Sequence, residues 1–199
     1  MDILKHREAR AEFLFRKADH FELSLCQRLN RMGHLRAIRL FFKGISRLGD
    51  GVFWYSLALA LPLMAGAEGL EKLGHITVTG LICILIYSQL KNRLVRKRPF
   101  ISFPDIHAHT APLDKYSFPS GHTMNAVNFA VLFTWAFPPL AYLVVPFALL
   151  VALSRVILGM HYPTDVMVGA ALGLILSWGS LLLFPAGIFA GAAQHIMSF

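Results

Sequence analysis

Residues 140–184 read LAYLVVPFALLVALSRVILGMHYPTDVMVGAALGLILSWGSLLLF. Arg155 and Asp165 are the only charged side chains in this stretch. The turn signal is Gly159-Met160-His161-Tyr162-Pro163, with the proline well placed to open a helix. On either side lies an apolar run of about 20 residues, the length that crosses a hydrocarbon layer of about 30 Å. Such a hairpin has no polar face to offer water, so lipid is the solvent that makes it stable.

Working outward, the same pattern repeats. Ser120–Phe137 is another apolar run, separated from the first by Pro138-Pro139. A polar connection, Lys91 to Phe118, precedes it. Before that come runs at Leu73–Leu90 and at Gly51–Ala67, the latter containing Pro62, which a membrane helix tolerates. Glu68, Glu71 and Lys72 predict a tight polar turn between these two runs. The result is an all-α fold, an integral membrane bundle of about five to six transmembrane helices. Whole-chain composition agrees: 56% of the 199 residues are hydrophobic and 15% charged. Soluble domains carry about 25% charged residues. This excludes a soluble globule, a disordered chain and a nucleic-acid-binding domain, in spite of a pI near 9.9.

Charge gathers at the other end. Eleven of the nineteen Lys and Arg lie in residues 1–48. Leu25, Leu29, Met32, Leu35, Ile38, Phe41, Phe42, Ile45 and Leu48 form a helical stripe among those cations. That pattern predicts a basic amphipathic helix lying in the headgroup region, with residues 1–48 as an interfacial segment. The segment has no early apolar core or cleavage site of a secretory signal. Two cysteines, Cys26 and Cys83, form no metal-type spacing.

Three clusters carry chemistry. Arg155 and Asp165 are ionisable groups in apolar segments, which makes them functional candidates. His161 lies between them, four residues before Asp165, so the carboxylate can accept a hydrogen bond from one imidazole nitrogen and leave the other free to attack. Pro119-Ser120-Gly121-His122 opens a helix with free backbone N–H groups, a hydroxyl and an acid/base imidazole, a combination suited to phosphate. Lys91 and Arg98 stand seven residues apart, about two helical turns, which predicts one shared face. Arg93, Arg96 and Lys97 around them read as flanking charge of the positive-inside kind.

Taken together, Lys91-x6-Arg98-Pro99, Pro119-Ser120-Gly121-His122 and Ser154-Arg155-x5-His161-x3-Asp165 resemble the tripartite signature of the type 2 phosphatidic acid phosphatase superfamily. The likeness covers about residues 75–180, leaving the basic head outside it. The run from Phe118 to Met124 is similar to the bacterial phosphatidylglycerophosphatase branch; undecaprenyl diphosphate phosphatases often carry Asp where this chain has Gly121. With the apolar runs, the resemblance makes residues 49–199 the expected transmembrane phosphatase domain of a multi-pass protein of the cell (inner) membrane. His161 would be the nucleophile, forming a phosphohistidine. Asp165 would orient it, and His122 would be general acid and then base. Lys91, Arg98, Arg155, Ser120 and the Gly121 N–H would hold the phosphoryl oxygens.

No metal and no cofactor are expected, since the cations supply the charge and the chain lacks a carboxylate cluster for magnesium. The partners expected are a lipid phosphate substrate and membrane lipids, and no nucleic acid. A phosphotransferase and a non-catalytic lipid-phosphate binder or transporter are the alternatives; a pure binder has no need of the His161–Asp165 pair. With five spans the N-terminus and the polar connection share a side. The basic head then argues for a cytoplasmic site, whereas better-known members of the resembled family work on the outer face.

Overall fold

In the computed structural model, residues 2–112, 114–184 and 188 are described, with side chains of the first helix at 13, 15 and from 19 onward. Beyond Phe184 the apolar tail of the 49–199 segment, apart from Ile188, lies outside the described residues. The described residues form helices and no strand: α1 (Asp2–Met32), α2 (Arg36–Gly49), α3 (Val52–Arg93), α4 (Pro99–Ser102), α5 (Gly121–Ala136), α6 (Ala141–Ile157) and α7 (Pro163–Leu183).

α3 is two rods rather than one. At Gly66 the backbone has φ 55° and ψ −130°, a conformation that needs glycine, and the helix doubles back. The two arms approach so closely that a Cβ on Gly69 would lie 2.1 Å from the Leu61 carbonyl oxygen. The reversal is therefore at Gly66, and the expected turn at Glu68, Glu71 and Lys72 is helical. Lys72 there reaches Glu68 at 2.6 Å and the Ala136 carbonyl at 2.8 Å. An i,i+4 pair lets these charges ride on a helix.

The two arms, α5, α6 and α7 are the five rods of the bundle. By length and composition three helical stretches can cross a membrane: Val52–Arg93, Pro138–Ile157 and Pro163–Leu183. α5 runs through the middle, against α7, α6 and α3. Its inner face and its neighbours form one apolar core of Trp54, Leu61, Ile76, Leu132, Phe133, Val144 and Val151. Trp54 stacks on Phe129 and Phe133. On the outside, Leu59, Leu63, Leu149, Ile175 and Leu182 are open to the surroundings. A water-facing surface of this kind would associate; a lipid-facing one is at rest.

α5 and α7 meet along small residues, as the Gly169 and Gly173 spacing predicts. A Cβ on either glycine would stand 2.5 Å from a carbonyl oxygen of α5, that of Ser120 or of Met124. This close contact brings the start of α5 to the start of α7, where the Ser120 N–H donates to the Asp165 carbonyl at 3.0 Å.

The amphipathic stripe of the basic head is split by a turn at residues 33–35 into α1 and α2. Phe42 is buried and Leu29 and Ile38 pack beside it, while Leu25, Leu35 and Phe41 stay exposed. These helices lie over the functional end of the bundle. Asn30 donates to the carbonyls of His107 and Ile157, at 2.9 and 3.1 Å, fastening α1 to both the polar connection and α6.

Candidate active site

All eight residues singled out in the sequence gather at this end. His161 lies in the turn between α6 and α7, its N–H donating to the Arg155 carbonyl at 3.1 Å. Arg155 is in the last turn of α6, and its guanidinium donates to Ser46 Oγ of α2 at 2.6 Å. Ser120 is the N-cap of α5, with Gly121 and His122 in the first turn. Ser120 Oγ pairs with Thr123 Oγ1 at 2.9 Å. Gly121 is required by a neighbour: a Cβ there would meet the Tyr87 ring at 2.5 Å.

Lys91 and Arg98 do not share a helix face. α3 ends at Arg93, and residues 94–98 are not helical. Arg98 precedes Pro99, whose ring disfavours the helical region for the residue before it, and it takes φ −73° and ψ 153°. Both side chains still reach the same place, one from a helix end and one from an extended strap. Arg98 donates to the Met160 carbonyl, next to His161, at 2.8 Å.

What holds these two cations together is Asp114, a loop residue. Its carboxylate contacts Lys91 at 2.5 Å and Arg98 at 2.6 Å, and accepts from the Tyr87 hydroxyl at 2.9 Å. Burial pushes the Asp114 carboxyl up, but the Lys91 hydrogen bond and charge, with Arg98, outweigh it and hold it below the usual carboxylate range. The cradle expected to take phosphoryl oxygens thus already holds an anionic group with two oxygens.

A second carboxylate engages the general-acid candidate. His122 Nε2 pairs with Asp50, from the break between α2 and α3. Asp50 is the only acid between Glu22 and Glu68, an isolated charge that is visible in the sequence. Burial raises its carboxyl, yet the bond to His122 and the charges of His122 and Arg155 bring it below its ordinary value. Asp50, Tyr87, Asp114, Gly121, His122 and Asn125 line a polar cleft of about 260 Å³.

His161 and Asp165 are both almost fully buried, at 2% and 0% exposure. The expected hydrogen bond between them is not formed: His161 Nδ1 stands 3.6 Å from Asp165 Oδ2 and has no hydrogen-bond partner. The reason is local. Oδ2 accepts the Tyr162 N–H at 2.9 Å as α7 begins, which draws the carboxylate toward the helix end. Oδ1 accepts from Arg96 at 2.5 Å. Arg96, set aside in the sequence as flanking charge, is 2% exposed and belongs to the site. Burial, then the charges of Arg155, Arg98 and Lys91, hold the His161 imidazole well below its ordinary pKa of 6.5. It is neutral at physiological pH, as a nitrogen nucleophile must be.

Other loop groups stand apart. Asp105 accepts a long 3.4 Å bond from Gln27. His107 and His109 lie beside Asn30 and His34, on the α1 side. Among the described residues no group of three or more His, Cys, Asp or Glu is arranged to hold a metal ion.

A family model described as the PAP2 superfamily matches residues 72–188. Lipid A 1-phosphatase of Rhizobium johnstonii is 31% identical over 153 residues, covering 73% of this chain and 58% of that relative. Phosphatidylglycerophosphatase B of Bacillus subtilis is 34% identical over 158 residues, covering 67% of this chain and 68% of its own. Among solved structures, the crystal structure of Aquifex aeolicus LpxE superposes with a TM-score of 0.71 at 27% identity, covering 81% of this chain and 95% of that one.

Proposed function

Because the chain belongs to the PAP2 superfamily, we propose that it hydrolyses a phosphate ester or diphosphate of a membrane lipid through a phosphohistidine on His161. The observation that carries this reading is the convergence of Lys91, Arg98 and Arg155 on a buried, neutral His161. Asp114, seated on two of those cations, is the stand-in for the phosphoryl group that displaces it.

Nδ1 of His161 faces Asp165, so Nε2 is the attacking atom. The Nε2–P bond forms and the P–O bond to the lipid breaks. His122 gives its proton to the departing oxygen, then removes one from the water that cleaves the phosphohistidine. Arg98, Arg155, Lys91, Ser120 and the Gly121 N–H stabilise the charge on the phosphoryl oxygens. These cations do the work a metal ion does elsewhere, so the reaction proceeds without one.

A lipid substrate is supported by what lies beneath the polar cleft. The two arms of α3 and Phe129 of α5 enclose an apolar groove of about 440 Å³, lined by Trp54, Ala58, Ile76, Gly80 and Ile84. The same helices that bear Tyr87 and His122 at the cleft continue into it. Phosphatidylglycerophosphate, phosphatidic acid and undecaprenyl diphosphate are the substrates to test first. The protein is a multi-pass protein of the cytoplasmic membrane in this reading. α1 and α2 lie at headgroup level, and their cations favour the cytoplasmic side for the site.

The test is phosphate release by purified protein from that panel of lipids, with EDTA present. Release from at least one lipid, lost in His161→Ala, is the expected result. No release from any member, or activity abolished by EDTA and restored by magnesium, would defeat the reading.

A further inference from the structure

We propose that Arg96, gripped by the N-terminal helix α1, is a positioning residue for the His161–Asp165 pair, and that α1 is therefore a working part of the active site. The inference rests on the phosphatase reading above and concerns a helix that the matched residues 72–188 do not include.

Arg96 stands at the centre of a closed network. Its Nε and Nη2 donate to Asp19 Oδ1 at 2.9 and 2.5 Å, and Nη2 also reaches Glu22 at 3.2 Å. Nη1 donates to Thr164 Oγ1 at 2.8 Å and to Asp165 Oδ1 at 2.5 Å. Every nitrogen of the guanidinium is engaged. Its Cζ stands 3.9 Å from the centroid of the Tyr162 ring and 4.8 Å from that of Phe15. A planar fork with several carboxylate partners and aromatic rings beside it is a site for arginine and not for lysine.

α1 also holds the helix that carries Asp165. Glu22 accepts the Thr164 N–H at 2.6 Å and its hydroxyl at 2.7 Å. Thr164 is in the first turn of α7, where a carboxylate also meets the positive end of the helix dipole.

The consequence for the site is directional. Asp165 is wholly buried, and a buried carboxylate must be paired and hydrogen-bonded. Arg96 is the cation that contacts it. By taking Oδ1, Arg96 fixes the rotation of the carboxylate and leaves Oδ2 toward Tyr162 N–H and His161 Nδ1. When the imidazole becomes positively charged on phosphorylation, Oδ2 is already in place to stabilise it. Arg96 is out of line with the phosphate cradle, because its donors are spent on Asp19, Glu22, Thr164 and Asp165.

The test compares Arg96→Ala, Arg96→Lys and Asp19→Asn with wild-type protein in one detergent, reading melting midpoint, kcat and KM on a lipid phosphate that wild type hydrolyses. A displaced catalytic group costs on the order of 10²-fold in rate. Arg96→Ala is expected to lose kcat by about that factor, with KM unmoved. Millimolar guanidinium chloride should restore part of the rate and sodium chloride none. Arg96→Lys should fall between. An unchanged kcat, a change confined to KM, or a loss that guanidinium does not touch would overturn the proposal. If Arg96→Ala does not fold, Asp19→Asn decides: a lower kcat at constant KM supports the coupling to α1, and wild-type kcat refutes it. Wild-type protein that releases no lipid phosphate counts against the proposed function itself, a result separate from any of these.

Discussion

His161 is buried among cations, and that combination sets how the enzyme should respond to acid. Burial and the charges of Arg155, Arg98 and Lys91 depress its pKa well below 6.5, so the folded chain refuses a proton that the unfolded chain accepts. Two outcomes follow from the sign. As the proposed nucleophile, His161 stays neutral as pH falls through 6.5, so the acid limb of kcat/KM that belongs to it lies well below that value. Stability contributed by neutral His161 is complete above pH 6.5 and is lost on acidification below it. A pH–rate profile and a pH series of melting midpoints check both; an acid limb at an ordinary histidine pKa would contradict the buried arrangement. Asp114 makes the second residue-scale prediction. Asp114→Asn removes the charge that competes for Lys91 and Arg98. Inhibition by inorganic phosphate should tighten, by about tenfold if about 1.4 kcal/mol of competition is relieved. An unchanged inhibition constant would mean that Asp114 does not occupy the phosphate cradle. Residue identities were the legible part of this site. His161, His122, Asp165, Ser120, Gly121 and Arg155 are candidates by residue type and position, and Lys91 and Arg98 by the resemblance alone; the structure brings the eight to one end of the bundle. Asp50, Asp114, Arg96, Asp19 and Glu22 do not stand out in this way, because each acts through a partner about 16 to 77 residues away, and pairings of that range leave no local pattern.

At the scale of elements, periodicity and apolar runs located the rods well and their joints poorly. The runs at 120–137, 140–159 and 163–184 became α5, α6 and α7. Glu68, Glu71 and Lys72 look like a turn, whereas the actual reversal of α3 needs only Gly66 at positive φ. Seven residues is about two helical turns, which predicts one face for Lys91 and Arg98; Pro99 and an extended strap override that spacing. The glycines of α7 were read correctly as a packing face, and they carry a prediction. Gly173→Val would push a side chain into the Met124 carbonyl, which is backbone and does not move aside. Overpacking of this kind costs about 1–3 kcal/mol. It should lower the melting midpoint in detergent and reduce activity, since the α5–α7 contact registers Ser120 against Asp165. Gly179→Val is the control, because a Cβ there meets nothing within 4 Å. Equal midpoints for the two variants would show that α5 and α7 do not depend on the close approach.

For the molecule as a whole, the division between a basic head and an apolar body is a division of composition rather than of work. α1 and α2 lie outside the matched family segment, yet they reach the site at three points: Asp19 and Glu22 on Arg96, Ser46 on Arg155, and Asp50, just past α2, on His122. In the proposed reading the body supplies the cradle, the nucleophile and an apolar groove, and the head closes over them. The central claim is that this assembly transfers a phosphoryl group from a lipid to His161. The most direct measurement is to quench the purified protein during turnover of a lipid phosphate labelled in its phosphorus and to map the labelled residue. The account predicts an acid-labile, base-stable phosphoryl group on His161, absent from His161→Ala and accumulating in His122→Ala with a substrate whose leaving group needs no proton. Steady turnover by His161→Ala, or label on another residue, would contradict it.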